Sequence, residues 1–262
     1  MERSRTQHQE KNTLEKEQLA ERVANAIKAF DEYLKLKPNE RVLFVSDENP
    51  TYTDRALTDL LKQGLKQRGN EFDEIIGDET LTREKLFDTL KQHSLLWNSW
   101  GMEDTDLTFD ELVNFIEKEQ KRMVLSHGIR AESLDNDGAF AEDKNSMDER
   151  LGKMEQRLQG TRGFHIQTTY GTNLFMGMRH GERRWFKENG EIRPGGWNNL
   201  PGGEIFTTPD EEDVNGVLVL PALQDEITTH QGVDQLVYLT IRNGKIAKID
   251  GGKSAGKLRR YL

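Results

Sequence analysis

The chain has 262 residues, with 37 Lys and Arg against 46 Asp and Glu, a net charge of -9, and no cysteine. Without cysteine there are no disulfides, thiolate metal sites, iron–sulfur clusters or cysteine nucleophiles. The acidic balance argues against a nucleic-acid partner, because phosphate binding calls for a basic face.

The first thirty residues are charged, unlike a signal peptide, and the longest stretch free of Asp, Glu, Lys and Arg, Gly163–Met178, is interrupted by polar side chains. The expectation is a cytoplasmic protein with no membrane partner. Sixteen of the 23 glycines lie between Gly160 and Gly256, and no proline occurs from Thr51 through Arg193. That shift predicts an α/β fold in which a βαβ-type sheet with flanking helices precedes a β-rich, mixed-sheet portion. The expected divisions are a frayed, disordered segment over 1–10, a helix-rich part over 11–160 and a β-rich part over 161–262.

After Asn12, the stripe Leu19, Val23, Ala26/Ile27, Phe30, Leu34 steps by three and four, which predicts an amphipathic helix ending before Pro38. Arg41-Val-Leu-Phe-Val-Ser reads as a buried parallel strand, Thr51–Gly69 as a helix stopped by Gly69, Phe72–Ile76 as a strand and Leu81–Leu90 as a helix. Leu95-Leu-Trp-Asn-Ser-Trp and Met123–Ile129 add strands on either side of a helix over Thr108–Lys121. In Ala141–Leu158, the spacing of Met147, Leu151, Met154 and Leu158 predicts a helix with one packed face. Strands follow from His165, Asn173, Arg184 and Val217. Leu236–Ile241 and Lys245–Asp250 flank Asn243-Gly, the strongest hairpin signal in the chain.

The densest chemical signal is Gly195-Gly-Trp-Asn-Asn-Leu-Pro-Gly-Gly-Glu-Ile-Phe-Thr-Thr-Pro. Gly202 and Gly203 remove two Cβ atoms just before Glu204, so the backbone can turn tightly or approach a ligand, while Pro201 and Pro209 stiffen the ends. Such a loop holds one carboxylate in place, although an ordinary Gly/Pro turn with an exposed glutamate has the same composition. Elsewhere Glu226, His230 and Asp234 lie four apart in a segment poor in helix formers, which reads as a solvated loop. His165 reads as a strand residue with a satisfied hydrogen bond. His127 and His180 read as surface residues. No nucleophile elbow or phosphate loop occurs, and no catalytic base can be named.

Phe164-His-Ile-Gln-Thr-Thr-Tyr-Gly-Thr-Asn-Leu, Asn199-Leu-Pro-Gly-Gly-Glu-Ile-Phe-Thr-Thr-Pro and Val214-Asn-Gly-Val-Leu-Val resemble segments of the aminopeptidase T/aminopeptidase S family of metallopeptidases. Leu36-Lys-Pro-Asn-Glu-Arg-Val-Leu resembles that family's opening. The resemblance implies an α/β hydrolase that uses two divalent metals (zinc, cobalt or manganese) to cleave N-terminal residues from peptides. It makes Glu204 a metal ligand and places Asn199, Gly203 and Thr172 at the substrate. Asn173 stands where the family has Asp, and Arg179 matches a recurrent arginine read first as a structural ion pair.

The family's other ligands, a second glutamate, two histidines, a tyrosine and an aspartate, follow the stretch matching Asp250-Gly-Gly-Lys-Ser-Ala-Gly-Lys-Leu, and this sequence stops at Leu262. The expectation is therefore a ligand set completed by a protein partner or by self-association in a homo-oligomer. Two alternatives stand beside the peptidase. One is a non-catalytic binding or scaffold protein on the same fold. The other is a relative of 2,5-dihydroxypyridine dioxygenase, a mononuclear iron enzyme that cleaves an aromatic ring.

Overall fold

The computed structural model describes residues 2–102, 105–178, 183–221 and 236–262, with side chains from residue 15 onward. The fold is mixed α/β, as the composition shift predicts, and groups into two compact units. The first comprises Met1–Gly152 and Glu188–Glu204; the second comprises Lys153–Lys187 and Ile205–Leu262.

The first unit runs α1 (Glu2–Lys28), β1 (Val42–Asp47), α2 (Arg55–Arg68), β2 (Phe72–Gly77), α3 (Arg83–Lys91), β3 (Leu95–Ser99), α4 (Phe109–Lys118) and β4 (Arg122–Leu125). Most of α5 (Lys144–Leu158) and the short strand β8 (Trp197–Asn199) also belong to it. Helix α1 starts at Glu2, so it includes the polar residues ahead of Asn12, and it continues into a π turn over Ala29–Tyr33 that turns Phe30, Tyr33 and Leu34 inward together.

The five strands form a parallel sheet in the order β2-β1-β3-β4-β8. Both faces of β1 and β3 are covered, which is why these strands read as continuous apolar runs. Leu43, Val45, Leu96 and Trp100 pack with Leu86, Leu90, Leu112 and Ile116 of α3 and α4. On the other face, Trp97 meets Phe30 edge-on at 5.7 Å and lies 6.1 Å from Phe44. Local signals fix the helix ends. Asp54 caps α2 through the Ala56 N–H, Gly69 at φ 78° ends it, and Thr108 with Glu111 forms a reciprocal capping box on α4.

In the second unit, β5 (Gly163–Gln167), β6 (Asn173–Gly177), β10 (Val214–Leu220), β11 (Val237–Arg242) and β12 (Lys245–Gly251) form an antiparallel sheet in the order β12-β11-β10-β6-β5. Asn243 and Gly244 take φ of 50° and 70° at the β11–β12 turn, the left-handed pair that Asn-Gly favours. Helix α6 (Lys253–Tyr261), which the sequence reading does not anticipate, seals one end of this sheet with Ala255 and Leu258 against Val237 and Leu239. A separate two-stranded ribbon pairs β7 (Phe186–Glu188) with β9 (Glu204–Phe206).

The stretch Gly195–Pro209, expected as one loop, contains β8 and β9. Both are three residues long, too short for a periodic pattern to register, and β8 exists only because β4 offers it a parallel partner.

Candidate functional site

A parallel sheet brings all its C-terminal strand ends to one edge. With β2 on one side of β1 and β3, β4 and β8 on the other, the chain direction reverses at β1, which opens a crevice at that edge. The segments leaving there are Asp47 onward from β1, Trp100-Gly101 from β3, Ser126-His127 from β4 and Leu200–Glu204 from β8.

Around β1 and β3 this edge is tightly built. Asp47 accepts the Gly101 N–H at 3.0 Å and the Asn49 N–H at 2.8 Å. Thr53 accepts the Asp47 N–H at 2.7 Å and reaches Ser99 at 2.8 Å. Gly101 has no room for a side chain, since a Cβ would lie 2.4 Å from the Tyr52 ring. Tyr52 in turn meets His127 edge-on at 5.9 Å. His127 is exposed, the surface residue expected from the sequence, although the Tyr52 ring covers part of it. Burial lowers its pKa, and a hydrogen bond to the Trp100 backbone and the charge of Asp47 oppose that shift. The net shift favours the neutral imidazole, with one nitrogen engaged by Trp100.

Beyond β8 the loop folds back onto the end of β7. A pocket of about 240 Å³ is lined by Glu188, Asn199, Pro201, Gly202, Gly203 and Glu204. Glu188 is buried; its carboxyl accepts the Asn199 N–H at 3.0 Å and its carbonyl accepts the Gly203 N–H at 2.7 Å. Interaction with the neighbouring Glu188 carboxyl, then burial, then the charge of Glu188 raise the Glu204 pKa above its ordinary value. Glycine is required beside the pair: a Cβ on Gly202 would lie 2.4 Å from the Gly190 nitrogen. From behind, Asn189 donates to Asp148 at 2.8 Å, and Lys144 pairs with the same carboxylate, tying the Glu188 turn to α5.

Of the residues singled out in the sequence, Glu204, Asn199 and Gly203 line this one pocket. Thr172 belongs to the other unit, where its hydroxyl accepts the Val219 N–H at 3.0 Å and extends the β6–β10 ladder. His165 pairs with Asn173 at 2.6 Å, the satisfied strand histidine that was expected. Arg179, His180, Glu226, His230 and Asp234 lie outside the described residues. The sequence reading passes over Glu188, which is hidden in a Glu-Asn-Gly turn signal, and reads His127 as a surface residue, which it is. Among the described residues, no three His, Asp or Glu side chains come together to hold a metal.

Residues 65–262 match the family model for 2,5-dihydroxypyridine 5,6-dioxygenase (NicX). The 2,5-dihydroxypyridine 5,6-dioxygenase of Pseudomonas putida KT2440 is 29% identical over 109 residues, which are 41% of this chain and 31% of that protein. The chain thus aligns with about a third of its curated relative's length. The solved structure of the Pseudomonas putida KT2440 dioxygenase has a TM-score of 0.61 at 20% identity, over 91% of this chain and 71% of that one. Wild-type AmpT from Thermus thermophilus has a TM-score of 0.54 at 16% identity, over 92% and 74% of the two chains.

These matches correct the peptidase reading. The sequence-level matches are to a ring-cleaving dioxygenase, whereas the likeness to AmpT is one of fold. Hydrolysis of peptides, and zinc, cobalt or manganese as its metals, fall with that reading. A shared fold leaves the reaction open, because one scaffold hosts unrelated reactions.

Proposed function

Because this chain belongs to the 2,5-dihydroxypyridine 5,6-dioxygenase family, we propose that it acts on hydroxylated pyridines in oxidative ring cleavage, with the ring held at the carboxyl edge of its parallel sheet. The observation that carries this reading is that His127 follows β4 and the Leu200–Glu204 segment follows the neighbouring strand β8 at the same edge, with Glu188 of β7 lining the same pocket as Glu204.

The chemistry fits the residues. A hydroxypyridine must give up a hydroxyl proton to become electron-rich enough for oxygen, and the His127 ring nitrogen not engaged by Trp100 is a base for it. The Glu188 and Glu204 carboxyls lining one pocket offer acceptors to the N–H and hydroxyl of a hydroxypyridine. Gly202 lets the loop pack against the Gly190 backbone, and the Asn199 and Gly203 N–H groups keep Glu188 fixed. Iron would supply the electron transfer to oxygen in such a reaction. The described residues do not gather three ligands and so do not fit a mononuclear iron centre, and no step above passes through one.

The test is oxygen consumption by the full chain with 2,5-dihydroxypyridine and added iron(II). Oxygen uptake that is lost in Glu204→Ala and His127→Ala supports the reading. Uptake unchanged by both substitutions, or none with any hydroxypyridine, removes it.

A further inference from the structure

The turn that brings Glu188 to the pocket is tied to α5 by side chains that do not line the pocket themselves. Asn189 donates its side-chain N–H to Asp148 at 2.8 Å, and its side-chain oxygen accepts the Glu191 N–H at 3.1 Å. Asp148 also pairs with Lys144, one turn back on α5. Lys144 is buried, with its ammonium 5.8 Å from the centre of the buried Tyr33 ring. The next residue of the turn is wedged as well: at Gly190, with φ 73°, a Cβ would lie 2.5 Å from the Leu200 side chain and 2.8 Å from the Tyr33 ring. Three consecutive residues are thus held, Glu188 by the Gly203 N–H, Asn189 by Asp148 and Gly190 by packing.

The chemistry of this tether is exacting. Asp148 stands between two donors, an ammonium and an amide N–H, and an ionised carboxylate accepts from both. An amide in its place would offer one oxygen and turn an N–H toward the other donor. Loss of the carboxylate would also leave the Lys144 charge buried beside an aromatic ring without its partner. The carboxylate therefore does what a side chain of the same shape cannot.

We propose that Lys144, Asp148 and Asn189 are positioning residues for the pocket, setting where the Glu188 carboxyl stands and so how tightly a hydroxylated pyridine is held. The second half of this inference rests on the reading of the pocket as the pyridine site; the first half does not.

Two readouts on the full chain keep the halves apart. Hydrogen exchange of the Gly203 amide, which donates to the Glu188 carbonyl, follows the turn without any ligand. Calorimetry with 2,5-dihydroxypyridine follows the pocket. Asp148→Asn should speed Gly203 exchange about tenfold, leave β1 amides unchanged, and weaken pyridine binding about tenfold. Asn189→Ala, which keeps the Lys144–Asp148 pair, should do the same and serves if the first variant does not fold. The exchanged pair Asp148→Asn/Asn189→Asp restores an acceptor for every donor, so both readouts should return close to wild type. A purely structural tether would lower the melting temperature while the folded variants kept full affinity. That result, unchanged Gly203 exchange, or no recovery in the exchanged pair would overturn the proposal. Faster Gly203 exchange in a protein whose wild type binds no pyridine would uphold the tether and remove the pyridine reading.

Discussion

Glu204 acquires its character from Glu188. Alone it would be an exposed loop carboxylate; beside a buried second carboxyl held by the Asn199 N–H, it keeps a proton above the ordinary range of about 4.3. A carboxyl raised in the folded state contributes stability at low pH and loses that contribution as pH rises through its folded pKa. Glu204→Gln retains a hydrogen-bond donor and removes the like charge. The variant should therefore melt higher than wild type at about pH 8 and show no such gain at about pH 4. Thermal melts across that range check the sign, and a lower melting temperature at the higher pH would contradict it.

His127 shifts the opposite way. Its lowered pKa keeps it a neutral base below the usual imidazole value, so the acid limb of any turnover profile should fall below about pH 6.5. His127→Gln should cost about 10²–10⁴ in kcat, the range for losing a general base. A pH–rate profile and single-turnover measurements would register both effects.

At the scale of elements, what could be read in advance depends on length and local chemistry. The long periodic helices, the apolar run of β1 and the Asn243-Gly244 hairpin carry their signals in a few neighbouring residues. Strand β8 does not, since three residues have no period and its existence depends on pairing with Met123–Leu125. Helix α6 was equally opaque, being glycine-bearing, rich in lysine and arginine, and ordered by a small apolar face. For the site, the Gly-Gly-Glu loop drew attention to Glu204, Asn199 and Gly203 together. Glu188 reaches it through tertiary structure, which no spacing along the chain reveals.

Two changes test this level. Thr108→Ala breaks the α4 capping box and should cost about 1 kcal/mol, read from urea unfolding. Gly202→Ala places a methyl against the Gly190 backbone and should displace the carboxyl pair while the strands hold. Chemical-shift changes confined to the 188–204 segment would show this, and an unperturbed segment would refute the packing.

At the scale of the molecule, the parallel sheet is both the main core and the platform of the site. Leu96 is buried between α3 and α4, so Leu96→Ala should destabilise the protein by about 2–5 kcal/mol in denaturant titration. Scale also explains the misreading of function. Fold class was legible because it rests on many weak signals that agree, whereas the reaction rests on a few side chains. The solved dioxygenase and AmpT structures are both similar to this fold, so the fold left the chemistry open.

The central claim is that the carboxyl edge of the parallel sheet binds a hydroxylated pyridine. Calorimetric titration of the full chain with 2,5-dihydroxypyridine, repeated on Glu204→Ala and His127→Ala, tests it most directly. Saturable binding in the wild type, sharply weakened in both folded variants, is the result predicted. Binding of equal strength in all three, or no binding by the wild type, would contradict it.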